Sequence, residues 1–171
     1  MRLVTILLTA ATTVALAACG SSTEGQSAPT TSAAPQPCTA EDFTVAGEQD
    51  AAPEVTVPDG CTAPTELLIE DVEAGKGAKV KTGDTAEVHY HLVAFSDGSK
   101  LDSSWDRGQS FPVENVGNAP VIEGWNKGLL GMQEGTRRLL VVPPDLGYGT
   151  NPGHQLAEET LVFVIDAVKI S

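Results

Sequence analysis

The sequence predicts an α+β fold, an antiparallel sheet covering one short helix, and three observations carry that expectation. Residues 85–95, TAEVHYHLVAF, alternate: Ala86, Val88, Tyr90, Leu92 and Ala94 point one way, and Glu87, His89 and His91 the other. That is the period of a strand with one buried face. The stretches 136–143 (TRRLLVVP) and 160–170 (TLVFVIDAVKI) are rich in β-branched residues and read as further strands. One segment breaks the pattern: in VIEGWNKGLLG (121–131), Ile122, Trp125 and Leu129 recur at i, i+3 and i+7 and share a helix face.

Taken from the N-terminus, residues 1–18 carry one basic residue, Arg2, an apolar run and small residues before a cut, the pattern of a secretory signal. Cys19 follows Leu16-Ala17-Ala18 directly, an arrangement that resembles the bacterial lipobox, in which the thiol receives a diacylglycerol. The expected mature chain is therefore an extracytoplasmic lipoprotein, anchored to the cell membrane at Cys19 without spanning it, because no other apolar run approaches the ~20 residues of a span. After Cys19, residues 20–37 contain Ser, Thr, Ala, Pro, Gln, Gly and one Glu and nothing large, so they cannot offset their ordering entropy, and 19–37 reads as a lipidated flexible tether with a reach of roughly 20–25 Å.

Cys38 and Cys61 bracket the next segment, 38–65. In an exported chain they are most simply one disulfide, with no CxxC redox spacing, and closing a loop of this size stabilises by about 3 kcal/mol. Residues 66–171 form the remaining domain. Within it ELLIEDV (66–72) reads as a strand, AGKGAKVKTGD (74–84) as a turn region, and Ser96-Asp97-Gly98-Ser99 as a hairpin turn after the alternating strand. Gly124 and Gly128 weaken the helix, so its stability must come from packing on the strands, and Gly131 is its natural stop.

The formal net charge of −13 and the lack of any Lys/Arg cluster beyond Arg137-Arg138 argue against nucleic acid as a partner. Glu70-Asp71 and Glu158-Glu159 read as solvated edges. The glycines at 124, 128, 131 and 135 fit neither a P-loop nor a dinucleotide fingerprint. His89 and His91 share a strand face with His154 remote in sequence, which is not the layout of a metal centre; neither metal nor other cofactor is expected.

LDSSWDRGQSF (101–111) mixes Asp102, Asp106 and Arg107 with Leu101, Trp105 and Phe111, and by itself is open to an acid/base pair, a metal site or an apolar wall. Its surroundings are more specific. VHY (88–90), Asp97-Gly98 followed by KLDSSWDRG (100–108), Phe111, VIEGW (121–125), Gly131-Met132, PPDLGYG (143–149) and TLVF (160–163) stand in one order. Together they resemble the FKBP-type peptidyl-prolyl cis-trans isomerases over roughly residues 83–170.

The resemblance implies a half-barrel sheet wrapped around the helix, with a shallow aromatic pocket that accepts a proline ring. Carried over position by position, the pocket residues are Tyr90, Asp102, Arg107, Phe111, Val121, Ile122, Trp125, Tyr148 and Phe163. Trp125 would be the floor, Ile122 would offer its backbone N–H to a substrate carbonyl, and Tyr148 would reach the carbonyl before proline. Asp102 would tie to Tyr90 and Arg107. Three departures stand out: Leu101 where the family usually has Phe, Pro120 where it often has Glu or Gln, and the loop TNPGHQLAEE (150–159), in which Leu156 takes the place of the usual isoleucine.

The resemblance thus implies a peptidyl-prolyl isomerase acting on proline-containing polypeptides, open to macrolides, monomeric, with Tyr90, Asp102 and Tyr148 as its catalytic residues. Assistance to the folding of exported proteins follows from the signal. Two alternatives remain at this level. Leu101 and the 150–159 loop allow a module that binds peptide or macrolide with little turnover, and segment 38–65 allows a scaffold that docks an envelope partner.

Overall fold

The computed structural model describes residues 34–49, 51–149 and 153–171, so the expected signal, Cys19 and the tether up to residue 33 lie outside the described residues. Among the described residues the main sheet has six strands: β3 (Leu68–Glu73), β4 (Ala86–Ala94), β5 (Lys100–Ser103), β6 (Phe111–Val113), β7 (Arg137–Val142) and β8 (Leu161–Ile170). Its order is β3-β7-β8-β4-β5, and every pairing is antiparallel. β1 (Thr44–Ala46) and β2 (Glu54–Thr56) form a separate antiparallel ribbon within the disulfide segment. One helix, α1 (Glu123–Gly128), is described. This is the expected α+β architecture, and the 96–99 turn joins β4 to β5.

The inner face of the sheet holds the main core. Val88, Tyr90 and Leu92 of β4 meet Leu140 and Val142 of β7, Phe163 and Ile165 of β8, and Trp125 and Leu129 from the helix. The helix lies against β7 because it carries glycines where it touches. A Cβ on Gly124 would stand 2.5 Å from Val142 Cγ1, and one on Gly128 would stand 2.6 Å from Leu140 Cδ2. The residues that weaken the helix in isolation are those that let it approach the strands.

The outer face departs from expectation. β4 was to have one buried face, yet Val93 is buried on the other side, and β7 is buried at all six positions. The cause is segment 38–65, which lies over the outer face: Cys38, Phe43, Val45, Val55, Val57 and Cys61 pack on Val93, Leu139, Val141, Val162 and Val164. Phe43 meets Phe95 with ring centroids 6.1 Å apart. The Cys38–Cys61 disulfide is formed, and Cys38 N–H donates to the Thr62 carbonyl at 2.9 Å. A continuous apolar run such as LLVV (139–142) is what a strand covered on both sides requires.

The two neighbouring arginines, the one basic pair in the sequence, are both buried, at 1% and 6% exposure. Arg137 pairs with Asp166 through Nε (2.7 Å) and Nη2 (2.6 Å) and donates to the carbonyls of Gly47, Glu48, Gln49 and Ala51 at 2.7–3.2 Å, which fastens the disulfide segment to the sheet. Arg138 Nη1 caps the helix carbonyl of Gly128 at 2.7 Å, and its Nε pairs with Asp71 at 2.5 Å. Asp71 is therefore an ion-pair partner of a buried cation, not a free solvated edge, and Glu159 likewise accepts from Ser96 N–H and Oγ.

Candidate active site

The site begins with the edge of β4. On one side β8 pairs along the whole strand, Ala86 to Ala94. The other side is shared, with β6 pairing residues 86–88 and β5 pairing 91–93. Tyr90 sits in the gap between them. Its backbone is satisfied there by Ser104, which donates its N–H to the Tyr90 carbonyl (3.0 Å) and accepts the Tyr90 N–H on Oγ (2.9 Å). Its side chain, by the alternation legible in the sequence, faces the inner core.

Three aromatic rings, Tyr90, Phe111 and Phe163, meet Trp125 edge to face. Tyr90 and Phe163 stand 5.3 and 5.4 Å from Trp125 at interplanar angles of 79° and 75°. Phe111 is 6.0 Å from both Trp125 and Tyr90. Such T-shaped contacts set the negative face of one ring against the positive edge of another, each worth about 0.5–1.5 kcal/mol beyond the burial itself. The rings border a cavity of about 600 Å³ with Trp125 at its base. Val121 and Ile122 line it from the turn into α1, Phe111 from β6, Tyr148 from the loop before β8. Ile122 immediately precedes the first helical turn in an extended conformation (φ −60°, ψ 150°), so its N–H lies outside the helix's own ladder. Trp125 Nε1 is a buried donor with no partner among the described residues.

Beside the rings runs a tight polar wall. The Tyr90 hydroxyl donates to Asp102 Oδ2 at 2.5 Å, Arg107 Nη2 donates to the Tyr90 hydroxyl at 2.7 Å, and Arg107 Nη1 donates to Asp102 Oδ1 at 2.6 Å. Ser103 N–H adds a fourth bond to Asp102 Oδ1, 2.7 Å long. Burial opposes ionisation of Asp102, but the Tyr90, Arg107 and Ser103 donors outweigh it and hold the carboxyl below the usual aspartate value. Burial, reinforced by the hydrogen bond to Asp102, pushes the Tyr90 phenol up. Hydrogen bonds to Asp102 and Tyr90 raise the Arg107 guanidinium further above its ordinary value. Each group keeps its neutral-pH charge state, so the wall is a brace and not a proton relay.

Leu101 and Leu156, expected in the pocket, do not line the cavity; both are partly buried and pack against the main core. For Leu101 the reason is a register shift between β4 and β5 that pairs Leu92 with Asp102 and Val93 with Lys100, leaving Leu101 without a partner. It is Asp102 that stands opposite Leu92, and both line the cavity. Arg107 is outside the lining as well, and acts through Tyr90 and Asp102. Sequence reasoning missed Leu92, Glu123 and Gly147 as lining residues and noted Pro120 only as a departure. Leu92 was within reach, since it shares the alternating face with Tyr90. Tyr148 is stacked by His154, ring centroids 3.8 Å apart and 13° from parallel, a contact across a loop that residue spacing could not show.

Residues 76–168 match the sequence profile of the family described as FKBP-type peptidyl-prolyl cis-trans isomerase. The chain belongs to that family. It is 44% identical over 119 residues to a probable FK506-binding protein of Corynebacterium glutamicum, a match covering 68% of this chain and 96% of that protein. An FK506-binding protein of Streptomyces anulatus is 42% identical over 121 residues, covering 69% and 96%. Among solved structures, FkpA from Escherichia coli is similar with a TM-score of 0.56 and 34% identity, covering 63% of this chain and 49% of FkpA. This FKBP-type chain therefore spans about half the length of that neighbour and almost the whole of the other two. The family match begins after the disulfide segment, so the cover on the outer face lies outside the family's own pattern.

Proposed function

We propose that the cavity over Trp125 seats the proline ring of an extended polypeptide and that the chain turns over the preceding peptide bond. The observation that carries this is the Trp125 base enclosed by Tyr90, Phe111 and Phe163, with the Tyr90–Asp102–Arg107 brace beside it. An Xaa–Pro bond resists rotation because of amide resonance, a barrier of about 20 kcal/mol, and the twisted state between isomers has lost that resonance. An apolar seat strips water from the imide, and donors fixed beforehand hold the carbonyl as it turns; binding the twisted form better than either planar form suffices for catalysis. Ile122 N–H and the Tyr148 hydroxyl are the donors assigned to the carbonyls, and Tyr90, Asp102 and Arg107 hold the wall. Nothing in this path needs a proton transferred or a covalent bond made.

A protease-free isomerisation assay on a Leu-Pro peptide tests the assignment. Wild type accelerates the reaction, Trp125→Ala removes most of the acceleration, and Tyr148→Phe lowers it. Undiminished rates in both variants would sink the site. The macrolide FK506, taken from the names of the relatives, is expected to compete with peptide.

The same reading extends to place and role. The signal-like residues 1–18 and the Leu16-Ala17-Ala18-Cys19 sequence support a lipid on Cys19 and work on exported proteins at the membrane surface. Cys19→Ala should move the protein to the soluble fraction; a variant that stays with the membrane rules out acylation there as the anchor.

A further inference from the structure

The polar wall poses a question of its own. Arg107 holds both Tyr90 and Asp102, yet its side chain is 48% exposed, and Asp102 is 44% exposed. An exposed arginine on a flexible stem gains little from an ion pair unless something else fixes its backbone. What fixes it is found on the opposite face of the sheet.

Arg107 closes a single 3-10 turn, Trp105–Arg107, preceded by Ser104 and ended by Gly108. This turn fills the gap on the β4 edge between β5 and β6, at residues 89 and 90. His89 and Tyr90 are consecutive in a strand, so their side chains leave on opposite faces. The turn grips both. On the inner side Arg107 lies over the Tyr90 ring, Cζ 5.5 Å from its centroid, and bonds its hydroxyl. On the outer side Trp105 stacks on His89, centroids 4.1 Å apart and planes 17° from parallel. Ser104 joins the two at the middle, fully buried, with Oγ 2.9 Å from His89 Nδ1 and 2.9 Å from the Tyr90 amide nitrogen. Asp106 pairs with Lys100, both side chains exposed.

We infer that Trp105 is a positioning residue for the isomerase site: stacked on His89 behind the sheet, it sets the turn whose other end holds Arg107 against Tyr90 and Asp102. This rests on the function proposed above. Trp105 touches no part of the cavity, and its stack is the large apolar contact by which the turn is anchored to the strand. Without it the turn keeps the Ser104 bonds but loses the contact that resists rotation about them, and Arg107 no longer has one place to be. The effect falls on substrate affinity, because the wall acts on the ground state and the twisted state alike.

The test is a double-mutant cycle in the otherwise intact chain, read as kcat and KM on a Leu-Pro peptide with thermal unfolding measured in parallel. Trp105→Ala is expected to raise KM about three- to tenfold, in the lower part of the range of coupling between residues of one network, with kcat little changed. Trp105→Phe, which keeps a stacking ring, restores most of the loss. His89→Ala repeats the Trp105→Ala effect and His89→Phe does not. In the double variant Trp105→Ala/Arg107→Ala the loss is no greater than in Arg107→Ala alone. A Trp105→Ala enzyme within twofold of wild type overturns the inference, as does multiplication of the two losses, which would mark a merely structural role. If Arg107→Ala itself changes nothing, the wall has no part in function and the inference falls, while the site over Trp125 stands or falls separately by Trp125→Ala and Tyr148→Phe.

Discussion

The two faces of the one sheet differ in how they are covered. The inner face is met by a six-residue helix, aromatic rings packed at right angles, and a wall of exposed charges, and it is left open as a cavity. The outer face is met by aliphatic side chains, a disulfide-closed segment and a buried arginine. Successive residues of β4, β7 and β8 serve one face and then the other. The difference separates two tasks within the same strands. The outer face adds a disulfide and a buried ion pair where nothing must enter, and the inner face, which also holds the main core, carries beside its cavity a polar brace that fixes the orientation of Tyr90.

The separation can be broken most forcefully at Arg137. Arg137→Ala leaves Asp166 and the 47–51 carbonyls without their cation, and breaking a buried pair in this way costs about 3–5 kcal/mol. Urea unfolding should show that loss, while peptide turnover measured well below the midpoint stays near wild type; a proportionate fall in turnover would mean that the faces are not separable. Replacing Cys38 and Cys61 with Ser comes next, with about 3 kcal/mol lost in the chain-entropy model and again no change in KM.

Phe111→Ala probes the inner face, where the order of effects reverses. Phe111 is 38% exposed, so its removal costs only about 1–2 kcal/mol of stability. Turnover should fall by about tenfold, a larger share of its range. The smallest effect concerns pH. A carboxyl held low in the folded state contributes fully above the ordinary aspartate value, about 3.9, and its contribution fades as pH falls through the lowered value. Peptide affinity should therefore hold from neutral pH to about 4 and decline only below it. A decline centred near pH 6 would place the titrating group elsewhere, and Asp102→Asn should remove the acid limb.

The inner face was largely legible in the residue pattern because it obeys short-range periodicity. Tyr90 follows from period two and Trp125 from period 3.6, and the ordered motifs supplied Asp102, Phe111 and Tyr148. Leu101 was misplaced because a register shift on an edge strand leaves no trace in spacing. The burial of Val93 and Arg137 was not legible for another reason: what covers them comes from residues 38–65, far away in the chain, and no periodicity connects the two. Trp105 remained unassigned for the same cause, since its partner His89 looked like an ordinary solvent-facing strand residue.

Gly124 and Gly128 carry a last consequence. They flank Trp125 on the helix, and each stands where a methyl group would strike β7. The distance between helix and sheet is the distance between the indole and the rings above it, so two missing methyl groups set how deep a proline can sink. Substrate fit would then be tuned by the spacing of two backbones, without altering any side chain that the substrate meets.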